Sequence, residues 1–252
     1  MCLVVFAWKA HPDYKLIVAA NRDEYHGRPS QAAHWWPDLP NVLGGRDLQA
    51  GGTWLAMSKT GRFATVTNYR EQQPARSGAR SRGEIVTNFV TGKSDADVYI
   101  SSFAGENYAG VSVLAADNEN ICYTSNRSDA AVTLEAGVYG LSNASLDTPW
   151  AKLVRTKESL TALIESNNVN TTELLRLLTD KTPAASSEVD NSELPFKLAR
   201  ALTAPFIVSD TYGTRCSTTL MISNDGKADF CERRFDSQGV ARGDSSFSFN
   251  CD

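Results

Sequence analysis

The sequence predicts an α+β domain in which mostly antiparallel sheets are layered with helices. Two observations carry this prediction. Apolar strand pairs joined by short polar turns cluster near both ends of the 252-residue chain, and most helical patterns lie between them. This order differs from the strand–helix alternation of doubly wound parallel sheets. No internal repeat or long linker divides the sequence, so we expect one domain over residues 1–252.

Four hairpins are predicted from apolar runs that flank turn residues. The first covers residues 2–20 around the turn cluster "AHPDY", which places Cys2 beside the end of the next strand. The other three are "GGTWLAMS-KTGR-FATVTNY", "GVSVLAAD-NEN-ICYTSN" and "STTLMIS-NDG-ADFCERRF". Asp-Gly between two apolar runs is a strong hairpin signal.

Helices are predicted from apolar periodicity and from capping residues. "GEIVTNFVTG" and "DADVYISSFA" fit two short helices. Thr148 is expected to cap a third helix with Pro149 at its first position, and Asn170 with Glu173 resembles a capping box. By composition, "KTPAASSEVDNSELP" is a loop.

The composition bounds the function. A net charge of -4 gives no global electrostatic case for nucleic-acid binding. No apolar run approaches the ~20 residues that a membrane-spanning helix needs, and the N-terminus does not resemble a secretory signal. The five cysteines are widely spaced and form no CxxC motif, which disfavours a disulfide framework or a zinc site. We therefore expect a cytoplasmic protein without a catalytic metal.

A polar cluster ends the second predicted strand. The apolar run "LIVAA" is followed by Asn21, Arg22, Asp23 and Glu24. A turn that satisfies its own hydrogen bonds would explain any one of these residues. In an extended segment Asn21 and Asp23 share one face, whereas Arg22 and Glu24 share the other.

Cys2 gives this cluster a possible chemistry. If Met1 is removed, Cys2 carries a thiol of pKa about 8.5 and an α-amine of pKa about 8 on one residue, a nucleophile with its own base. Arg22 is then expected to lower the thiol pKa, and Asp23 to hold the amine. Asn68, Asn143 and Arg215 also fall at predicted strand ends, where amides can stabilise an oxyanion or simply serve a turn.

Several blocks together resemble the NRDE family, the homologues of the transport and Golgi organisation protein. They are "AANRDEYHGRPS", "GGTWLAMS", "TNYRE", "SRGEIVTNF", "YGLSNASLDTPWAK", "YGTRCSTTL" and "FCERRF", spread from Met1 to about Phe235. The resemblance implies a four-layer αββα sandwich of the N-terminal-nucleophile hydrolase type. It also implies haem trafficking, with a competing view that centres on acyl-CoA and lipid handling.

A more distant similarity is to bile-salt hydrolases and penicillin V acylases. It implies a catalytic set that is spread over the chain and converges in the fold: Cys2, Arg22, Asp23, Asn68, Asn143 and Arg215. In that group two residues separate the arginine from the aspartate, whereas Arg22 and Asp23 are adjacent here. The alternative function is therefore an N-terminal-cysteine hydrolase that acts on an acyl amide or thioester.

The haem interpretation predicts non-covalent haem as cargo and haem acceptor proteins as partners. An apolar slot, an axial ligand and cations for two propionates are needed. The expected ligand-binding residues are Asn21, Arg22, Asp23, Glu24, His26 and Arg28, with Cys2 as a further candidate ligand. The loop with Arg70, Arg76, Arg80 and Arg82 is either solvated or a docking site for phosphates, such as those of an acyl-CoA-like molecule, or for carboxylates.

Overall fold

Two antiparallel sheets form the centre of the molecule. The structure, a computed structural model, describes residues 2–71, 78–128, 131–189 and 195–252. In the order in which they pair, the strands of the first sheet are β10 (Gly137–Leu141), β1 (Cys2–Trp8), β2 (Tyr14–Tyr25), β11 (Tyr212–Ser223), β12 (Lys227–Phe235) and β13 (Ala241–Asn250). We call it sheet A.

The second sheet, sheet B, is built from the middle of the chain. Its strands pair in sequence order: β3 (Ser30–Trp36), β4 (Leu39–Asp47), β5 (Leu55–Ser58), β6 (Phe63–Asn68), β7 (Val111–Ala116), β8 (Ile121–Ser125) and β9 (Val132–Thr133). All four predicted hairpins are confirmed as β1–β2, β5–β6, β7–β8 and β11–β12.

Helices cover the outer face of each sheet. Sheet B packs against α1 (Gly83–Thr91) and α2 (Ala96–Ser101). Sheet A packs against α3 (Ala151–Glu165) and α4 (Thr171–Leu177), and α5 (Phe196–Ala201) precedes β11. The order of layers is therefore helix, sheet, sheet, helix, which confirms the predicted αββα sandwich.

The alternation of side chains along β1 shows how the sequence builds these layers. Val4, Phe6 and Trp8 point into the core between the sheets, whereas Leu3 and Val5 contribute to the core beneath α3 and α4. A strand that is buried on both faces has no polar side to show, so it appears in the sequence as the continuous apolar run "LVVFAW".

One helix start was predicted wrongly. Helix α3 begins at Ala151 with Trp150 at its N-cap, and Thr148 instead donates its hydroxyl to the Ser145 carbonyl, 2.8 Å away. The hydroxyl is thus consumed in a turn before the helix. The capping box at Asn170 is confirmed, since its side chain accepts a hydrogen bond from the Glu173 amide at 3.0 Å. The predicted loop over 181–195 is irregular apart from one 3₁₀ turn, Ser186–Glu188, and residues 190–194 lie outside the described residues.

Several elements were not predicted, most notably the hairpin β3–β4 and the edge strand β13. Trp35 of β3 packs edge-on against Phe247 and Phe249 of β13, with ring centroids 6.3 and 4.9 Å apart. These aromatic contacts link the edges of the two sheets. In the described part of the chain, no helix is long and apolar enough to cross a membrane.

Candidate functional site

A cleft of about 330 Å³ opens where β1 starts and β2 ends. Its wall contains the thiol of Cys2, part of the polar cluster after Ala20, and residues from three other segments. The residues that line it are Cys2, Arg22, Asp23, Glu24, Arg28, Asp47, Ala50, Thr53, Trp54, Val66, Asn68, Ala79, Arg80, Ser81, Arg82, Gly83 and Ala109. The cleft therefore combines a thiol, four guanidinium groups and three carboxyl groups.

Strand pairing fixes the position of Cys2. Cys2 lies opposite Arg22 in the β1–β2 pair, and Arg22 lies opposite Cys216 in the β2–β11 pair. Ser142 donates its hydroxyl to the Cys2 carbonyl at 2.7 Å, which holds the start of β1 against the segment after β10. Met1 lies outside the described residues.

Burial makes the Cys2 thiol a weak acid. Desolvation raises the pKa of the thiol above its usual value of 9.0, although the charge of Arg22 acts to lower it. Arg22 acts in the predicted direction, but the desolvation outweighs its attraction, and the prediction for a chain that begins at Cys2 stays a prediction. Cys2 is a protonated thiol in this environment at neutral pH.

Arg22 reaches from β2 into the cleft. Its side chain is only 5% exposed, and its Cζ atom lies 4.1 Å from the centre of the Trp54 ring. Gly45 makes this stacking possible, since a Cβ atom there would stand 2.3 Å from the Trp54 ring. The one ion pair of Arg22 in the described residues is a long contact of 3.8 Å to Asp47, which Arg28 already holds at 2.7 Å.

Asp23 points toward the helices that cover sheet A. One carboxylate oxygen accepts the hydroxyl of Thr214 at 2.7 Å, and the Asp23 carbonyl accepts the hydroxyl of Tyr212 at 2.8 Å. Burial raises the pKa of Asp23 from 3.8 to about 6, against the opposing effects of the Lys152 charge and the Thr214 hydroxyl. Asp23 is therefore partly protonated in mildly acidic solution.

Asn21 lies on the same side of the strand as Asp23 and is part of the packing. It is buried, and its amide nitrogen donates to the carbonyls of Leu178 and Pro205, each at 2.9 Å. Its amide oxygen accepts the Ser217 hydroxyl at 2.6 Å. These bonds confirm the predicted alternation of faces, and they use the Asn21 side chain for structure.

The remaining predicted ligand-binding residues divide in the same way. Glu24 and Arg28 line the cleft. His26 does not, because its Nε2 atom lies 2.9 Å from the Ser209 carbonyl oxygen. None of the three histidines, all of which are described, contributes to the cleft lining. Among the described residues, no group of three or more His, Cys, Asp or Glu side chains could hold a metal ion.

The structure brings Asn68 and Asn143 together, but only Asn68 lines the cleft. The side-chain amide of Asn143 donates to the Asn68 carbonyl at 2.8 Å, so Asn143 holds the backbone of Asn68 in place. Arg215 is not in the lining. Its Nη1 atom donates to the carbonyls of Tyr25, His26 and Arg28, at 2.9, 3.1 and 3.1 Å. It therefore fixes the turn after β2.

Lys152 is a buried charge near this site that the sequence analysis missed. It is 2% exposed, and its ammonium donates to the Leu202 carbonyl at 3.4 Å. Burial lowers the pKa of Lys152, while Asp23 and Cys2 act to raise it. Its position eight residues before the buried Leu160 puts it on the apolar stripe of α3, and that periodicity was the signal available in the sequence.

Two solved structures identify the class of fold. The chain matches a Caenorhabditis elegans N-acylethanolamine-hydrolysing acid amidase orthologue with a TM-score of 0.51 and 11% identity, over 87% of this chain and 92% of the other. It also matches the C2A mutant of a Clostridium perfringens conjugated bile acid hydrolase with a TM-score of 0.55 and 7% identity, over 99% of this chain and 92% of the other. The chain thus has an N-terminal-nucleophile hydrolase-like fold, as predicted, and at these identities the likeness concerns the fold alone.

Sequence comparison identifies the family. Residues 1–237 match the family described as Transport and Golgi organisation 2. The mouse homologue of that name is 35% identical over 92% of each chain, and the human homologue is also 35% identical over 92% of each. The Drosophila melanogaster protein is 25% identical over 92% of this chain and 91% of its own length. This chain belongs to the Transport and Golgi organisation 2 family, which confirms the predicted NRDE-family resemblance.

Proposed function

We propose that this protein binds haem non-covalently at the Cys2 cleft and transfers it to acceptor proteins inside the cell. The observation that carries the proposal is the placement of a thiol and several guanidinium groups in one cleft. Sulfur is a known axial ligand of haem iron, and guanidinium groups pair well with carboxylates such as propionates. Trp54 and Val66 add apolar surface to the same wall.

The size and polarity of the cleft suit a carrier that releases its cargo. A volume of about 330 Å³ is at the low end of the ~300–1,000 Å³ typical of small-molecule sites. A cleft of this size would hold one edge of a large planar ligand and leave the rest accessible to an acceptor.

Haemin titration tests the proposal. We expect a shifted Soret band that saturates near one haemin per chain, and a much weaker shift with Cys2→Ser. Because the Cys2 thiol must lose its proton to bind iron and burial raises its pKa, haemin affinity should increase from pH 6 to pH 8. Cys251→Ser removes a half-buried thiol elsewhere and serves as the matched control. Equal titrations for wild type and Cys2→Ser would contradict the assignment of the thiol as ligand.

A second candidate function is an N-terminal-cysteine hydrolase or acyl-CoA-handling protein. It is favoured by the meeting of Cys2, Arg22, Asp23 and Asn68 in one cleft of a hydrolase-like fold. Intact mass spectrometry of protein from its native host would show whether Met1 is removed. Release of thiol from palmitoyl-CoA, or of amine from an acyl amide, that Cys2→Ala abolishes would support turnover. Binding of either compound without product release would contradict turnover and favour a protein that handles acyl-CoA without hydrolysing it.

A further inference from the structure

Arg82 carries a charge that no carboxylate of the described residues neutralises by an ion pair. It directly precedes helix α1 and lines the same cleft as Cys2. Its Nη1 atom donates to the Gly110 carbonyl at 3.1 Å, which orients the guanidinium and leaves its other donors for a ligand. Burial lowers the pKa of Arg82, but arginine stays protonated in proteins, so a half-buried cation faces the cleft.

Arg22 is a second cation in this cleft, and its one ion pair among the described residues is long. Only 5% of its side-chain surface is exposed. Its nearest carboxylate, Asp47, is 3.8 Å away and is engaged by Arg28 and by the backbone amides of Gln49 and Ala50. The Nη1 atom of Arg22 has no hydrogen-bond partner in the described part of the molecule. An unpartnered buried guanidinium nitrogen is costly unless a ligand compensates it.

The wall that carries Arg82 is held in place by a close backbone approach. Helix α1 starts at Gly83, and a Cβ atom on Gly52 would stand 2.6 Å from the Gly83 carbonyl carbon. The amide of Thr53 donates to the Gly83 carbonyl at 3.3 Å. Gly83, the first residue of α1, lines this wall, and the amides of Glu84 and Ile85 already donate to backbone carbonyls, each at 3.2 Å.

We propose that Arg22 and Arg82 form a carboxylate subsite beside Cys2 that anchors an acid group of the cargo. This inference rests on the proposed function and names the chemical group of the ligand that the cleft recognises, a carboxylate. Two cations without a close counter-charge call for an anion, and the carboxyl group of Glu24 in the same lining disfavours a dianion. A singly charged carboxylate therefore fits this subsite better than a phosphate.

The test uses the full-length chain and two small probes at constant ionic strength. Sodium butyrate and inorganic phosphate are titrated separately while the amide NMR signals of Ser81 and Gly83 are followed. We expect butyrate to shift both signals and to bind more tightly than phosphate. Arg82→Gln should weaken butyrate binding by about tenfold or more, since a charge-assisted hydrogen bond is lost. Arg176→Gln is the matched control, because it removes an exposed arginine charge on α4.

The outcomes separate the subsite from the proposed function. No shift at Ser81 and Gly83, tighter binding of phosphate, or equal butyrate affinity in Arg82→Gln would each overturn the carboxylate subsite. In parallel, haemin and its dimethyl ester are titrated by the Soret band. The subsite predicts weaker binding of the ester to the wild type but not to Arg82→Gln. If haemin does not bind at all while butyrate does, the proposed function fails and the carboxylate subsite stands.

Discussion

The two faces of β2 after Ala20 differ in how completely their polar groups are satisfied. On the face toward the helices, Asn21 makes three hydrogen bonds, and Asp23 is buried with the Thr214 hydroxyl on its carboxylate. On the face toward sheet B, Arg22 has one long ion pair and an unpartnered nitrogen in the described structure. Adjacent residues of one tetrapeptide thus divide between holding the fold and forming the cleft.

The four polar residues after Ala20 therefore do not act as one unit. A strand alternates its side chains between two faces, so four consecutive polar residues meet two environments. We expect substitutions on the helix-facing side to change stability most, and those on the cleft side to change ligand binding most.

The largest effect is expected for Asn21→Ala. The substitution leaves the carbonyls of Leu178 and Pro205 and the hydroxyl of Ser217 without their partner in a buried place. At about 1–1.5 kcal/mol for each buried hydrogen bond, the free energy of unfolding should fall by about 4 kcal/mol. Urea denaturation measures it. Asn224→Ala removes one exposed hydrogen bond to Pro12 and should cost less than about 1 kcal/mol. Equal losses of unfolding free energy in the two variants would contradict the structural role of Asn21.

The second prediction concerns Asp23→Asn and pH. The folded-state pKa of Asp23 is raised from 3.8 to about 6, so the native state holds this proton more tightly than the unfolded chain does. The resulting stabilisation is fully present below about pH 4 and is lost as pH rises through 6. Between about pH 4 and pH 7, wild type should lose about 3 kcal/mol of unfolding free energy relative to Asp23→Asn. Urea denaturation of both proteins across this range checks the difference, and a constant difference would count against it.

The third prediction is for the cleft-facing neighbour, Arg22→Gln. Since the guanidinium has no close counter-charge in the described residues, its loss should change the unfolding free energy by only about 1 kcal/mol. Haemin affinity should fall by about tenfold, because a cation for a propionate is removed. Denaturation and Soret titration on the same preparation measure both. A large loss of stability with unchanged haemin binding would reverse the proposed roles of the two faces.

The smallest effect on stability is expected for Lys152→Met. Among the described residues, the buried ammonium makes a long hydrogen bond to the Leu202 carbonyl and lies 5.7 Å from the centre of the Trp150 ring, and burial lowers its pKa. An apolar side chain of similar length should therefore change the free energy of unfolding by less than about 1 kcal/mol at pH 7. Any gain in unfolding free energy from Met should decrease at higher pH, because Lys152 loses its proton there. Without the Lys152 charge the pKa of Asp23 should rise. The stability that protonated Asp23 contributes should then be lost at a higher pH than in the wild type.

Much of the fold could be predicted because buried strands and turns leave local signals. The hairpins β1–β2 and β11–β12 were predicted from apolar runs around short turns, and α4 from the Asn170 capping box. The hairpin β3–β4 was missed because its strands contain glycine, proline and polar residues and are only partly buried. Asp47, which lies at the end of β4 and holds Arg28, was missed for the same reason.

The site was predicted in part. The alternation of Arg22 and Asp23 follows from strand geometry, and the convergence of Cys2 with Asn68 followed from the family resemblance. The position of Arg215 did not, because a register shift between Thr214 and Cys216 interrupts the β2–β11 pairing at this residue. The raised pKa of Cys2 also depends on how much protein surrounds the thiol, which no local pattern of residues records.

Strand β13 determines which edge of sheet A is exposed to neighbouring copies of the molecule. It lies beyond the matched residues 1–237 and pairs along β12, so β12 is not the edge of sheet A. Without β13, the nine-residue strand β12 would offer its backbone amides and carbonyls to a neighbouring chain. The edge that replaces it begins with Arg242 and Asp244, which pair with Asp236 and Arg233 of the same hairpin. Because charged side chains at a strand edge oppose edge-to-edge pairing, we expect the β13 edge to pair with a neighbouring chain less readily than an exposed β12 would.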